Sequence, residues 1–285
     1  MTGHDRSPTP EDEEYIDRHE KHPYEYDFDP NPPTDDPYWY PEEPDPSDTV
    51  WRYMDLAKFI SILQNDALWF SHHSNFADPY DGRYSEKTIE KIKEDYSELG
   101  LDPPSSIDED SDLSYYNYVS CWNIKDEQSV GLWNMYFEGE IGVVIKTSIK
   151  DLEDALFEPN DDFDEYTYMS GKVDYCPVDD EPRGYYGPIF SKRPIFDFEN
   201  EFRIVFSTLS SQDGNETDDE SSLSTKGIPV SVDVDTLIDE VYISPEAGGY
   251  VKQVLEDMKN SEEIQYDFTI TQSALFSHPK TGSEE

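Results

Sequence analysis

Glu199 and Glu201 stand at the mouth of a strongly apolar run, Phe202-Arg203-Ile204-Val205-Phe206. A carboxylate in such a place is costly unless it is paired or used. Used, it stabilises positive charge developing on a substrate; paired, it neutralises an arginine of the core layer. Spacing alone does not single these acids out. Asp and Glu number 66 against 21 Lys and Arg, so a Glu-x-Glu arises by chance, and either Glu199 or Glu201 can be the relevant acid. Arginine is the rarer residue and the more informative one. Arg52 lies between Trp51 and Tyr53, where its planar fork can meet a phosphate or carboxylate, or pair with one of the many acids. His72 and His73 are neighbours in a predicted strand and so point to opposite faces, which argues against one shared metal. Asp78-Pro79 and Asp81-Gly82 read as turn and capping residues. No metal is expected, and no Walker loop, GxGxxG, GxSxG or HExxH is present.

The elements that must position these residues follow from periodicity. Val50–Met54 reads as a strand rich in aromatic and β-branched residues. Asp55 is a predicted N-cap for a helix with Leu56, Phe59, Ile60 and Leu63 on one face, ended by Asn65. Leu68-Trp69-Phe70 begins a second strand. Further strands are predicted at Tyr118–Trp122, Gly142–Thr147, Lys172–Cys176, Phe202–Phe206, Val230–Val234, Glu240–Ser244 and Ile264–Thr271. Helices are predicted at Ser85–Gly100, Gln128–Phe137, Lys150–Phe157 and Glu246–Lys259. The run Gly142-Val143-Val144-Ile145 is apolar throughout and predicts a central strand. Asp179–Pro194 is a Gly/Pro-rich loop. Strands outnumber helices in a mixed order, which predicts an α+β fold. Its core is a mixed, mostly antiparallel sheet with short flanking helices, in a single domain over residues 49–275. Residues 1–48, dense in Pro, Asp, Glu and Tyr, read as a disordered, extended acidic tail, with Tyr38-Trp39-Tyr40 as a possible anchor. Residues 276–285 read as a second disordered tail.

The stretch from Trp51 to Gly82, WRYMDLAKFISILQNDALWFSHHSNFADPYDG, resembles the opening of the family called domain of unknown function 2971. That family has an aromatic–basic–aromatic strand, a short helix, LWFS and then FNDPFD; here the last motif is Phe76-Ala77-Asp78-Pro79-Tyr80-Asp81, with Ala77 in place of the usual Asn. Ser120-Cys121-Trp122, Leu132-Trp133-Asn134-Met135-Tyr136 and Phe198-Glu199-Asn200-Glu201-Phe202-Arg203 extend the resemblance over roughly residues 50–275. The family brings no established activity. In outline the order of residues is also similar to mono-ADP-ribosyltransferases. Those enzymes use a basic or His residue on an early strand, a hydroxyl or aromatic residue on a following element, and a Glu near the start of a late strand. That similarity implies NAD as substrate. Arg52 would be catalytic and would hold the nicotinamide ribose, Ser71 and Tyr80 would help to bind the dinucleotide, and Glu201 would stabilise the oxocarbenium-like centre. Two other classes stay open: a non-catalytic binding or sensor module of a defence or toxin system, and a metal-dependent hydrolase built on Asp78, Asp81, Glu199 and Glu201.

The formal net charge is -45, and the acid is spread through every segment. Such a charge repels itself in dilute buffer, and molar salt removes that penalty by shortening the Debye length to roughly 3 Å. Diffuse acid points to a salt-adapted, haloarchaeal-type source over a nucleic-acid mimic, which needs a concentrated pattern. The protein is expected to keep its near-ultraviolet circular dichroism in molar KCl and to lose it in low salt. A thermal midpoint indifferent to KCl would count against that expectation. No basic stripe exists to neutralise phosphates, so no direct nucleic-acid binding is expected. No apolar run approaches the ~20 residues of a membrane span and no signal peptide is read, so the expected location is cytoplasmic, with a protein or small-molecule partner. Cys121 and Cys176 lack a CxxC spacing, and Cys121 reads as a buried structural thiol.

Overall fold

Strand β1 (Thr49–Asp55) runs straight into helix α1 (Leu56–Asn65). The break between them is chemical: the Asp55 carboxylate accepts from the Lys58 amide at 2.8 Å, as expected of an N-cap. Phe59, Ile62 and Leu63 are the helix's buried residues. Asp66, in the left-handed region at φ 46°, ends the helix and turns the chain into β2 (Ala67–His72). The computed structural model describes residues 41–98, 100, 117–136, 141–156, 167–177, 186–207, 226–261 and 265–275. All of these fall within the unit Thr34–Glu285.

The remaining helices are α2 (Glu86–Glu98), α3 (Val130–Tyr136), α4 (Ile149–Leu156), α5 (Val234–Leu237) and α6 (Gly249–Lys259). The remaining strands are β3 (Asn117–Ile124), β4 (Gly142–Ser148), β5 (Thr167–Lys172), β6 (Asp174–Tyr175), β7 (Ser191–Lys192), β8 (Glu201–Ser207), β9 (Gly227–Ser231), β10 (Glu240–Ile243) and β11 (Thr269–Gln272). Nine of the strands form one sheet; β6 and β7 pair separately. The fold is α+β, and the sheet is mixed because β10 and β11 run parallel while its other pairs are antiparallel. Among the described residues no helix is long and apolar enough to cross a membrane.

Strand β3 organises the sheet. One of its edges pairs along its whole length with β8, from Asn117↔Ser207 to Asn123↔Glu201. The other edge is shared: β1 takes its end at Trp51↔Asn123 and Val50↔Ile124, and β2 takes its beginning at Ser71↔Val119 and His72↔Tyr118. Beyond these pairs β1 turns to β4 and β2 to β9. The sheet therefore forks beside Ser120 and Cys121. Residues directly opposite in antiparallel strands share a face, so the register sorts the side chains. Val50, Arg52, Trp122, Phe202 and Ile204 start on one face. Trp51, Tyr53, Trp69, Ser71, Cys121, Glu201 and Arg203 start on the other. The first face carries the main apolar core, with Phe59, Phe70, Trp122, Ile145, Phe202 and Phe206 beneath the helices. The second carries two smaller clusters, around Trp51, Tyr53 and Trp133, and around Val119, Ile189 and Val205.

Several boundaries differ from the sequence reading for physical reasons. β5 precedes the predicted Lys172–Cys176 strand, and Gly171 inside it leaves room for Pro41, whose Cγ would stand 2.5 Å from an added Cβ. Residues 41–48, assigned by composition to the acidic tail, lie along the sheet. The Lys172 amide donates to the Glu42 carbonyl at 2.9 Å, and the Ile149 amide to the Asp48 carbonyl at 3.1 Å. Prolines cannot donate, but the carbonyls around them accept. Residues 1–40, with the Tyr38-Trp39-Tyr40 anchor, and residues 276–285 lie outside the described residues. Val234 begins α5 because the Asp233 carboxylate caps it through the Thr236 amide at 3.1 Å.

Candidate functional site

All seven residues of β8 are buried, and two of them are charged. Arg203 is fully buried and donates to three groups at once. Its Nη1 and Nη2 meet the two oxygens of Asp81 at 2.8 and 2.7 Å, its Nε meets Glu201 at 2.8 Å, and Nη1 also reaches the Ile189 carbonyl at 2.5 Å. Phe76 faces the guanidinium at 5.5 Å. Asp81 comes from the turn after β2, where the Asp78 carboxylate accepts from the Tyr80 amide and the Asp78 carbonyl from the Asp81 amide. Gly82, at φ 80°, completes that turn under the His73 ring; a Cβ there would lie 2.7 Å from His73 Cε1. His73 Nε2 lies 2.7 Å from Asp81 Oδ1. A carboxylate only accepts, so Nε2 carries the proton. The other ring nitrogen, Nδ1, is buried without a hydrogen-bond partner among the described residues.

Lys192 extends the network outward. Its ammonium meets Glu199 at 2.5 Å and Glu201 at 2.7 Å and sits over the Phe196 ring. The Glu201 amide donates to the Tyr175 hydroxyl at 2.9 Å. Asp81, Glu199 and Glu201 thus gather around Lys192 and Arg203, three carboxyls around two cations, with the His73 Nε2–H on Asp81. Burial, then the neighbouring Glu201, pushes Glu199 up to about 8. Burial also opposes ionisation of Glu201, but Arg203, the Glu199 hydrogen bond and Lys192 outweigh it and bring Glu201 down to about 2. Burial opposes ionisation of Asp81 in the same way, and Arg203 overrides it and holds Asp81 well below the usual carboxylate range. The extra proton therefore rests on Glu199, and the two carboxyls of one Glu-x-Glu are held in opposite states.

Arg52 has a different environment. It reaches into the fork, where Nη1 donates to the Ser120 hydroxyl at 2.7 Å and Nη2 to the Trp69 carbonyl at 2.8 Å. It lies 5.5 Å from the centre of the Trp122 ring. Two of its five N–H groups are used in this way, and no carboxylate of the described residues pairs with it. Burial lowers its pKa to about 10, which leaves it charged at neutral pH. Tyr136 of α3, stacked on Tyr53 at 6.0 Å, is pushed up by burial, then by Cys121, Glu201 and Glu199, with Arg52 acting in the other direction. Cys121, directly opposite Arg203, is pushed up first by burial and then by Glu201.

Arg52 and Glu201 thus start on opposite faces, and no hydrogen bond or ion pair joins them. They meet only through the fork, where Tyr136 feels both charges. Ser71, opposite Val119 and Gly227, shares the face of Glu201. Tyr80 is 51% exposed and lies under Arg193 at 4.9 Å. Arg193 in turn grips Asp78 at 2.9 and 3.1 Å. The four acids of the hydrolase alternative are each held by a cation, Asp78 by Arg193, Asp81 by Arg203, and Glu199 and Glu201 by Lys192. His72 turns to Ser74 at 2.6 Å while His73 turns to Asp81. Sequence reasoning missed Lys192 and the His73–Asp81 contact, and counted Arg193 among the informative arginines without giving it a partner. The adjacent cations Lys192-Arg193, in a chain so poor in bases, were the available signal. No family model and no curated protein matches the chain.

Proposed function

We propose that the chain is a binding module that seats an anionic group, a phosphate or carboxylate, on Arg52 in the sheet fork. One observation carries this reading: in a chain with 66 acidic residues, this desolvated, half-buried guanidinium has no carboxylate partner among the described residues. A charge taken from water without a counter-ion is costly, and a bound anion repays that cost through the unused N–H groups. Glu201, neutralised by Arg203 and Lys192, then acts as a core ion pair and not as a catalytic group.

The transferase remains a second reading because the ionised Glu201 beside a protonated Glu199 is a division that acid–base chemistry uses. There NAD would be bound with its phosphates at Arg52. Its N-glycosidic bond would break with the electron pair leaving on nicotinamide, the Glu201 charge would stabilise the ribosyl cation, and water or an acceptor nucleophile would add to that cation and release a proton. The two readings separate in one experiment, thermal midpoint and nicotinamide release measured together with NAD or inorganic pyrophosphate in constant KCl. Both ligands should raise the midpoint of the wild type, and Arg52→Lys, which keeps the charge but loses the planar fork, should reduce that rise. No nicotinamide release is the result for a binding module. Release that falls by ~10²-fold or more in a folded Glu201→Gln would establish the transferase. No midpoint shift with either ligand rejects the anion seat.

A further inference from the structure

A cavity of about 260 Å³ opens on the sheet face opposite the main core, and Arg52 does not line it. The register builds its floor. Trp51 of β1 stands opposite Lys146 of β4, and Lys146 opposite Glu240 of β10. Tyr242, two residues beyond Glu240, takes the same face. The Trp51 and Tyr242 rings meet with centroids 5.6 Å apart and planes tilted by 49°. Both are held by their polar atoms: the Trp51 indole N–H donates to the Lys125 carbonyl at 2.7 Å, and the Tyr242 hydroxyl to Glu240 at 2.7 Å. Leu275 adds an apolar side, and Asp126 and Glu127 line the cavity from the connection between β3 and α3. The charges around it do not cancel. Lys146 is a lining residue too, but its ammonium stands 3.5 Å from Asp239 and 3.7 Å from Glu240. Asp126 and Glu127 are exposed and make no hydrogen bond or ion pair among the described residues.

We propose that this cavity is a second binding site, separate from the anion seat, and that it takes a guanidinium on an aliphatic stem. The acid spread over the chain attracts any cation; the aromatic wall selects among them. A guanidinium is flat and more weakly hydrated than an ammonium, so it stacks on Trp51 and Tyr242 at a smaller desolvation cost. Its fork also suits the Asp126 and Glu127 carboxylates. Size sets the rest of the class. Pockets for drug-sized ligands run to roughly 300–1,000 Å³, so this one holds a group the size of a side chain. Such a group is supplied either by a free guanidino compound or by an arginine side chain of a protein.

The test is a titration of the full chain in constant KCl, followed by NMR at the indole N–H signals. The ligands are butylguanidinium, its neutral isostere butylurea and the peptide Gly-Arg-Gly. Butylguanidinium should saturate one site and bind about tenfold more tightly than butylurea. Tighter binding of Gly-Arg-Gly than of butylguanidinium identifies the guest as an arginine side chain; equal or weaker binding identifies a free guanidino compound. Asp126→Asn combined with Glu127→Gln changes only exposed side chains. It should weaken butylguanidinium about threefold or more and leave butylurea unchanged. Tyr242→Leu should also weaken butylguanidinium. Tyr242→Phe keeps the ring and loses only the hydroxyl bond to Glu240, so it should bind as the wild type does. Butylurea as tight as butylguanidinium, or an advantage that survives both the double substitution and Tyr242→Leu, would overturn the proposal. So would a wild type that binds neither butylguanidinium nor the peptide.

Discussion

Arg203→Met should lose on the order of 3–5 kcal/mol of stability in denaturant unfolding, the largest effect expected from a single substitution in this chain. Methionine fills much of the same space, so the loss comes from charge and not from a cavity. It would strand Asp81 and Glu201, which the guanidinium now contacts at 2.7–2.8 Å in a fully buried position. Both carboxylates would have to take up protons or remain ionised without a partner. Arg203→Lys should fall between, because an ammonium cannot present two parallel bonds to Asp81 and a third to Glu201. A loss below ~1 kcal/mol in Arg203→Met would mean that Lys192 alone balances the cluster.

The second large effect concerns pH. Glu199 is pushed up from its ordinary 4.5 to about 8, so between those values the folded state holds a proton that the unfolded state has released. Its contribution to stability is complete below about 4.5 and is lost as pH rises through about 8. Wild-type stability should therefore fall by ~2 kcal/mol between pH 6 and pH 8.5. Glu199→Gln, which mimics the protonated carboxyl, should flatten that fall. Asp81 and Glu201 act in the opposite sense, since both are held low. Their contribution is present above their unfolded values and disappears as pH falls through the acid range. Denaturation followed from pH 2 to pH 9 checks both limbs. An identical alkaline slope in Glu199→Gln and wild type would place the extra proton elsewhere in the cluster.

The parts of this arrangement that follow from local chemistry were legible in the sequence. Asp55 as a cap, the apolar face of α1 and the buried run Val143-Val144-Ile145 each follow from neighbours a few residues away. The site does not. In β8 every residue is buried, so no alternation of apolar and polar residues marks which face Glu201 takes. Its face is fixed by pairing with Asn123, and that of Arg52 by β1 and β2 sharing one edge of β3. These are relations between distant segments, and a shift of one residue would reverse them. Asp81 was read correctly as a turn former, yet the same turn brings it to an arginine 122 residues away. Lys192 was hidden for another reason: it stands in a Gly/Pro-rich stretch whose 3-10 turns have no periodic signature.

The anion seat at Arg52 is tested most directly by calorimetric titration of inorganic pyrophosphate into the wild type and into Arg52→Lys, with salt held constant. Pyrophosphate has no bond to nicotinamide, so it reads the guanidinium alone. The account predicts saturable binding with one site per chain, weakened about tenfold or more when the planar fork is replaced by an ammonium. Binding that is unchanged in a folded Arg52→Lys, or no binding to the wild type, would contradict it.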